Sequence, residues 1–276
     1  MARAGILRKW CFALAAVLVW AAAAAEAGSC PQADLSGDCR VDFADAAMLA
    51  GQWLMDEGPN EPNGMAWVWI DGDGLSEGFE FVGWISRFET TNGQYCEYLN
   101  AAMAEGLITV HEDVVYGADD AGFEKPYLDT FAVDDDSQIE YSQGQFSVRS
   151  RDGYEMVDHP VVEVSWYGAM AFCDYYGFRL PTEWQWQAVA DYDGSFLYGC
   201  GETIDDTKAN YDTSNPLFLM EAPYTSPVGF YPEAGYGLYD MAGNATEWTH
   251  TLYNGDSDPE DRIVRGGSWI HIMDHC

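Results

Sequence analysis

The sequence predicts an α+β, loop-rich domain, and three observations carry that reading. A chain of 276 residues with 48% hydrophobic and 15% aromatic content has enough apolar material for one sizeable core. Three short helices announce themselves by capping residues and apolar spacing, between short strand-like runs. The remainder, rich in glycine and aromatics, has few long periodic segments, which suits a domain whose loops carry much of the core.

Residues 1–27 read as a secretory signal peptide. Arg3, Arg8 and Lys9 precede an apolar run from Cys11 to Ala25, and Ala25-Glu26-Ala27 is a small-x-small cleavage site. An uncleaved anchor is the alternative, but the run is rich in alanine and no later segment reaches transmembrane length. The mature chain is therefore expected to be secreted or periplasmic, with no membrane association after cleavage. Cleavage takes away three basic residues and one acid, moving the formal charge from −34 to −36. Such a surface repels nucleic acid and anionic lipid. Export also permits disulfides among the remaining cysteines at 30, 39, 96, 173, 200 and 276.

Residues 30–56 form a compact calcium-loop segment. On a twelve-residue calcium loop, Asp34, Ser36, Asp38, Asp42 and Asp45 fall at positions 1, 3, 5, 9 and 12, with the Arg40 carbonyl at 7. A helix is expected next, because Phe43, Ala47, Ala50 and Leu54 recur on one face. This small EF-hand-like helical element resembles one half of a type I dockerin, which implies calcium and a cohesin-like partner. Loop position 6, usually glycine, is Cys39, and a second repeat is missing. A solvated acidic loop is the competing reading, and a Cys30–Cys39 disulfide would brace either.

Residues 57–64, within DEGPNEPNG (Asp56 to Gly64), have proline, glycine and polar residues without periodicity and read as a linker. The main domain is expected over 65–276. MAWVWIDG opens it as a strand, and Thr91-x-x-Gln94 is a capping box for a helix with Tyr95, Leu99, Ala102 and Met103 inward. The acidic, aromatic stretch from His111 to Asp158 reads as loops and short strands, including the alternating Phe146-Ser147-Val148-Arg149. Ser165 caps a second helix with Trp166, Ala169, Met170 and Cys173 inward, stopped at Gly177. Thr182-x-x-Gln185 is a second capping box, opening a helix through Trp186, Val189 and Ala190.

Two C-terminal motifs carry the chemistry. In YDMAGNATEWT, Asp240 and Glu247 offer carboxylates, and the turn between them can aim the Gly243 and Ala245 carbonyls at the same point. Calcium takes six to eight such oxygens. The plainer reading is a tight turn with Asn244 left-handed and Trp248 in the core, and the two are compatible. The second motif is RGGSWIHIMDHC, Arg265 to Cys276. His271, His275 and Cys276 with Asp274 also offer ligand types for zinc or non-haem iron, though nothing in the spacing fixes their directions. No serine–histidine–acid order, phosphate-binding glycine loop or retaining-carboxylate pattern rises above chance.

With GLYDMAGNATEWT, RGGSWIHIMDHC and RLPTEWQWQ, the sequence from Met65 onward resembles the sulfatase-modifying-factor family, whose best-known members are formylglycine-generating enzymes. The resemblance implies a C-type-lectin-like variant fold with calcium at Asp240, Gly243, Ala245 and Glu247. It implies a second calcium site at Asn210, the Tyr211 carbonyl and Glu221. It also implies a copper(I)-binding thiol pair three and eight residues past Ser268, acting on a sulfatase cysteine. Those positions are His271 and Cys276. An imidazole is a harder ligand than thiolate and takes no part in thiol exchange. The expectation is therefore a secreted binding or accessory scaffold for a sulfatase or another secreted protein. The alternative is a copper-dependent oxidase in which Cys276, Ser268 and His271 form the catalytic set. Family members continue past this motif through a further strand, so the domain is expected to be truncated at its C-terminus. Cys173 resembles a cysteine whose disulfide partner lies in that part.

Overall fold

The computed structural model describes residues 62–71, 81–253 and 261–276. The leader, the 30–56 calcium-loop segment and most of the linker lie outside the described residues.

Among the described residues the architecture is α+β, with three α-helices and several small antiparallel sheets joined by long loops. Strand β1 (Trp67–Ile70) pairs with β2 (Gly83–Ser86), Trp67 opposite Ser86 and Ile70 opposite Gly83. Helix α1 (Asn92–Ala104) follows, and the expected capping box is formed. Gln94 N donates to Thr91 Oγ1 at 3.2 Å and Thr91 N donates to Gln94 Oε1 at 3.0 Å. The inward face carries Tyr95, Leu99 and Ala102 as the spacing predicts, with Tyr98 and Cys96 beside them.

A three-stranded sheet then runs β3 (Ile108–His111), β4 (Val114–Gly117) and β5 (Pro126–Asp129) in that order. Two hairpins follow, β6 (Ile139–Ser142) with β7 (Gln145–Val148), and β8 (Ser150–Arg151) with β9 (Tyr154–Glu155). Helix α2 (Trp166–Tyr176) is capped by Ser165 and stops at Gly177, which sits at φ +77°. Helix α3 (Glu183–Ala190) opens on the second capping box, with Trp186, Val189 and Ala190 buried. After a long loop region, β10 (Glu247–Leu252) pairs with β11 (Arg262–Arg265), and the chain reaches a short 3₁₀ turn at Met273–His275.

Helix α2 buries Cys173 as its spacing predicts, but otherwise turns a different face inward. Gly168, Phe172, Cys173 and Tyr176 are buried, whereas Trp166, Ala169 and Met170 are only partly covered. The cause is close packing at Gly168, where a Cβ would lie 2.1 Å from the Tyr127 carbonyl oxygen. That approach rolls the helix onto β5 and feeds Phe172 and Tyr176 into an aromatic core with Tyr95 and Tyr98. Trp166 stays at the edge because its indole N–H donates to the Thr249 carbonyl at 3.1 Å.

A second core, Ile70, Phe81, Trp186, Val189, Leu238 and Met241, joins the first hairpin to α3. A third is small: Ala209, Tyr211 and Ala242, with Cys200, Ile204 and Cys276 packed on it. Among the described residues no disulfide forms. Cys96, Cys173, Cys200 and Cys276 are free thiols, and burial pushes Cys96 and Cys173 up to about 11 and about 12. The disulfide expected from export is therefore not seen at these four positions.

Candidate functional site

The loops that precede β10 and follow β11 meet at one buried junction, and Asn244 is its hub. It adopts the left-handed conformation expected of it, at φ +62°. Its Oδ1 accepts from Ser226 N at 2.9 Å and from Asn210 Nδ2 at 3.2 Å. Its Nδ2 donates to Glu89 Oε2 at 2.6 Å. Its backbone N donates to the Asn210 carbonyl, and its carbonyl accepts from Trp269 N at 3.1 Å. Beside it Gly243 is obligatory, since a Cβ there would stand 2.2 Å from the Asn210 carbonyl oxygen.

Three carboxylates converge on this junction. Asp240 Oδ2 accepts from Gly229 N at 2.7 Å, and Glu247 Oε2 accepts from the Trp186 indole at 2.9 Å. Glu89 Oε1 accepts from Ala245 N at 2.8 Å. Burial is the main cause that raises all three. Asp240 is pushed up to about 6 and Glu247 to about 7, the latter also by Asp240. Glu89 is held well above the usual carboxylate range by burial and then by Asp240 and Glu247. Two buried acids, Glu89 and Asp240, and the half-buried Glu247, with no basic side chain among their bonded partners, are costly as anions, and a cation would remove that cost.

Of the expected calcium ligands, Asp240 acts on Glu247 by its charge and Gly243 and Ala245 lie in the turn between them, but among the described residues the carboxylates of Glu89, Asp240 and Glu247 do not all come within 4.8 Å of one another. Glu89 was not legible as part of the set. Its one signal is an acid between the apolar Phe88 and a capping box, and its partners lie more than 150 positions away. Asn210 is fully buried and joins the junction through Asn244. The Asn210 Oδ1 and the Tyr211 carbonyl both accept from Ser214, at 2.7 Å and 3.0 Å. Glu221 lies on the surface, its carbonyl accepting from Arg151 Nη2 at 2.7 Å, and among the described residues no hydrogen bond links it to Asn210. Asp34, Ser36, Asp38, Arg40, Asp42 and Asp45 lie outside the described residues.

The GGSW segment borders a cleft of about 420 Å³ lined by Trp186, Tyr198, Arg265, His271, His275 and Cys276. Ser268 is buried, and its Oγ is 2.9 Å from His271 Nδ1. The rings of His271 and His275 lie 5.6 Å apart. Burial pushes the Cys276 thiol up to about 11, with Cys200 adding to the shift. Arg265 is spoken for by an ion pair with Glu183. A copper(I) site of two thiolates does not fit this donor set. The cleft lining offers one thiol, Cys276, and an imidazole whose Nδ1 is engaged by serine.

These features define a class: a loop-rich α+β domain with a buried acid junction beside an open cleft. The solved structure of CarF has the same fold, with a TM-score of 0.51 at 19% identity over 76% of this chain and 89% of that one. The sulfatase-modifying factor enzyme 1-like domain matches residues 78–276. The chain belongs to that family.

Two relatives place it further. A protein named serine/threonine-protein kinase pkn1, from Chlamydia pneumoniae, is 37% identical over 155 residues, covering 50% of this chain and 23% of that protein. The inactive C-alpha-formylglycine-generating enzyme 2 of Bos taurus is 35% identical over 130 residues, covering 44% of this chain and 42% of that protein. The chain thus spans less than half the length of either relative.

Proposed function

We propose that this protein is an exported, calcium-stabilised member of the sulfatase-modifying factor family that acts as a binding or accessory scaffold. The observation that carries the reading is His271, which stands where the resemblance implies a thiol and whose ring is tied to Ser268 Oγ at 2.9 Å. The remaining thiol, Cys276, is raised by burial and so is protonated at neutral pH. A relative whose name calls it inactive supports such a role within the family.

Calcium is the cation this reading assigns to the junction. Asp240 and Glu247 would hold it, with Glu89 as a third carboxylate and the Gly243 and Ala245 carbonyls beside them. Its contribution is charge: it would neutralise buried carboxylates and lock the loops on which Asn244 and GGSW sit. The leader-like residues 1–27 support export, and the acid spacing of 30–56 supports a second calcium loop with a cohesin-like partner. The low share of regular structure supports the C-type-lectin-like variant of the fold. A sulfatase is the first partner to try for the cleft.

The rival reading is the oxidase, and one experiment separates them. The full chain is titrated anaerobically with copper(I), then given oxygen and a CxPxR-type peptide, followed by mass spectrometry of the peptide. The scaffold reading expects no aldehyde and no loss of the peptide thiol. Aldehyde formation by the unmodified protein would overturn it.

A further inference from the structure

The turn between β5 and β6 holds a second acid cluster, separate from the junction. One carboxylate oxygen from each of Asp134, Asp135 and Asp136 lies within 4.8 Å of the others. Side chains of consecutive residues ordinarily diverge, and three like charges have every reason to do so. Here the backbone brings them together. Asp136 N donates to Asp134 Oδ1 at 2.9 Å, and Ser137 N to the Asp134 carbonyl at 3.2 Å.

Two further acids flank the group. Asp129 ends β5, and Asp129 N donates to the Glu163 carbonyl at 3.2 Å, with Glu163 itself at φ +59°. Burial, followed by the neighbouring aspartates, raises Asp129, Asp136 and Glu163 above their ordinary values. Of the nearby cations, Arg151 acts on Asp136 and offsets part of that rise, and among the described residues neither Arg149 nor Arg151 forms an ion pair with an aspartate of the cluster. Arg149 pairs with Glu140 and lies over the Phe131 ring, while Arg151 Nη2 donates to the Glu221 and Ala222 carbonyls.

The independent observation is a pair of buried, partnerless oxygens at the same turn. Gln138 is 1% exposed, and its Nε2 donates to the Asp136 carbonyl at 2.7 Å, which holds the carboxamide against the main chain of the turn. That bond fixes which end of the amide is nitrogen, because a carbonyl requires a donor. The Oε1 of the same group has no partner, and neither has the Oγ of Ser137, a residue with 0% exposure. A buried oxygen without a donor is rare and costly, and a cation satisfies it as well as a proton donor does.

We propose that Asp134, Asp135, Asp136 and Gln138 Oε1, flanked by Asp129 and Glu163, bind one hard divalent cation of calcium's size. Oxygens on opposite sides of one calcium ion are about 5 Å apart, so the three aspartates fit a single coordination shell. Magnesium, with a tighter and strictly octahedral shell, fits a cluster of this span less well.

The test uses the full chain and calcium itself. Equilibrium dialysis counts bound calcium in the unmodified protein, in the double variant Asp134→Asn, Asp136→Asn, and in Glu247→Gln. The double variant is expected to lose one whole site and Glu247→Gln a different one, the two losses adding in the triple variant. Hydrogen exchange of the unmodified protein gives a second readout that needs no variant. Calcium is expected to slow exchange over residues 129–138 about tenfold, an effect that Glu247→Gln keeps. Unchanged stoichiometry in the double variant, exchange at 129–138 indifferent to calcium, or equal protection by magnesium at the same concentration would each overturn the proposal. Unchanged stoichiometry in Glu247→Gln alone would fail the junction reading and leave this one standing.

Discussion

Replacing Glu247 by glutamine separates the two roles of the acid junction, because it keeps the shape and removes one charge. The amide oxygen of glutamine can still accept from the Trp186 indole, now held at 2.9 Å by the carboxylate. In the folded protein the carboxyl is raised from the ordinary 4.5 to about 7, chiefly by burial. A carboxyl raised on folding binds more protons folded than unfolded between those values. Its favourable contribution is full below pH 4.5 and is lost as pH climbs through 7. In chelator at pH 8 the ionised side chain therefore costs about 3 kcal/mol, and at pH 5 less than about 1 kcal/mol. Glutamine is neutral throughout. Without calcium, Glu247→Gln should melt above the unmodified protein at pH 8 by about 6–12 °C, a lead that shrinks by pH 5. With free calcium near a thousand times its dissociation constant the order reverses, because the unmodified protein gains about 4 kcal/mol that the variant does not. Differential scanning calorimetry at both pH values, with chelator and with calcium, gives the four comparisons. If the metal-free variant melts lower at pH 8, or if calcium raises both proteins equally, the account of the junction is wrong.

Three other perturbations follow from the same geometry. Asn244→Ala strands Glu89, Asn210 and Ser226 at a buried hub and should cost about 3–5 kcal/mol in denaturant unfolding; a loss below about 1 kcal/mol refutes the hub. Gly168→Ala places a methyl 2.1 Å from the Tyr127 carbonyl and should cost about 3 kcal/mol, with loss of near-ultraviolet dichroism from the Tyr95, Tyr98 and Phe172 cluster; an unchanged spectrum and stability would count against the close approach. Cys276, raised to about 11, should alkylate about tenfold faster per pH step between 7 and 10; fast labelling at pH 7 would show an activated thiol instead.

What the sequence disclosed and what it withheld divide by distance along the chain. Both capping boxes and the Gly177 stop were legible because each is a contact between residues at most a few positions apart. Apart from Cys173, the inward face of α2 was not, because it is set by a glycine against the Tyr127 carbonyl, a neighbour 41 positions away that no periodicity encodes. The same holds for the acids. Asp240 and Glu247 lie in one readable turn, whereas Glu89 joins them from the other end of the domain through Asn244 and Ala245. Ser268 beside His271 was readable as a short loop, yet the tie between their side chains needed coordinates.

The way GGSW is held explains how a member of this family can carry histidine at position 271 without losing the fold. Gly243 N donates to the Gly266 carbonyl, Trp269 N to the Asn244 carbonyl, Thr213 N to the Trp269 carbonyl and Asp212 N to the His271 carbonyl. All four ties use main-chain atoms, so they are blind to the side chain at 271. Its ring projects into the cleft, where it meets Ser268 Oγ and lies near His275. The backbone of the motif therefore answers to the acid junction through Asn244, and the side chain answers to whatever occupies the cleft. A change at 271 alters the second at little cost to the first. It follows that His271→Cys should fold with a melting temperature within about 2 °C of the unmodified protein while tightening copper(I) binding. A large loss of stability in that variant would mean that the histidine ring, and not the main chain, holds the motif in place.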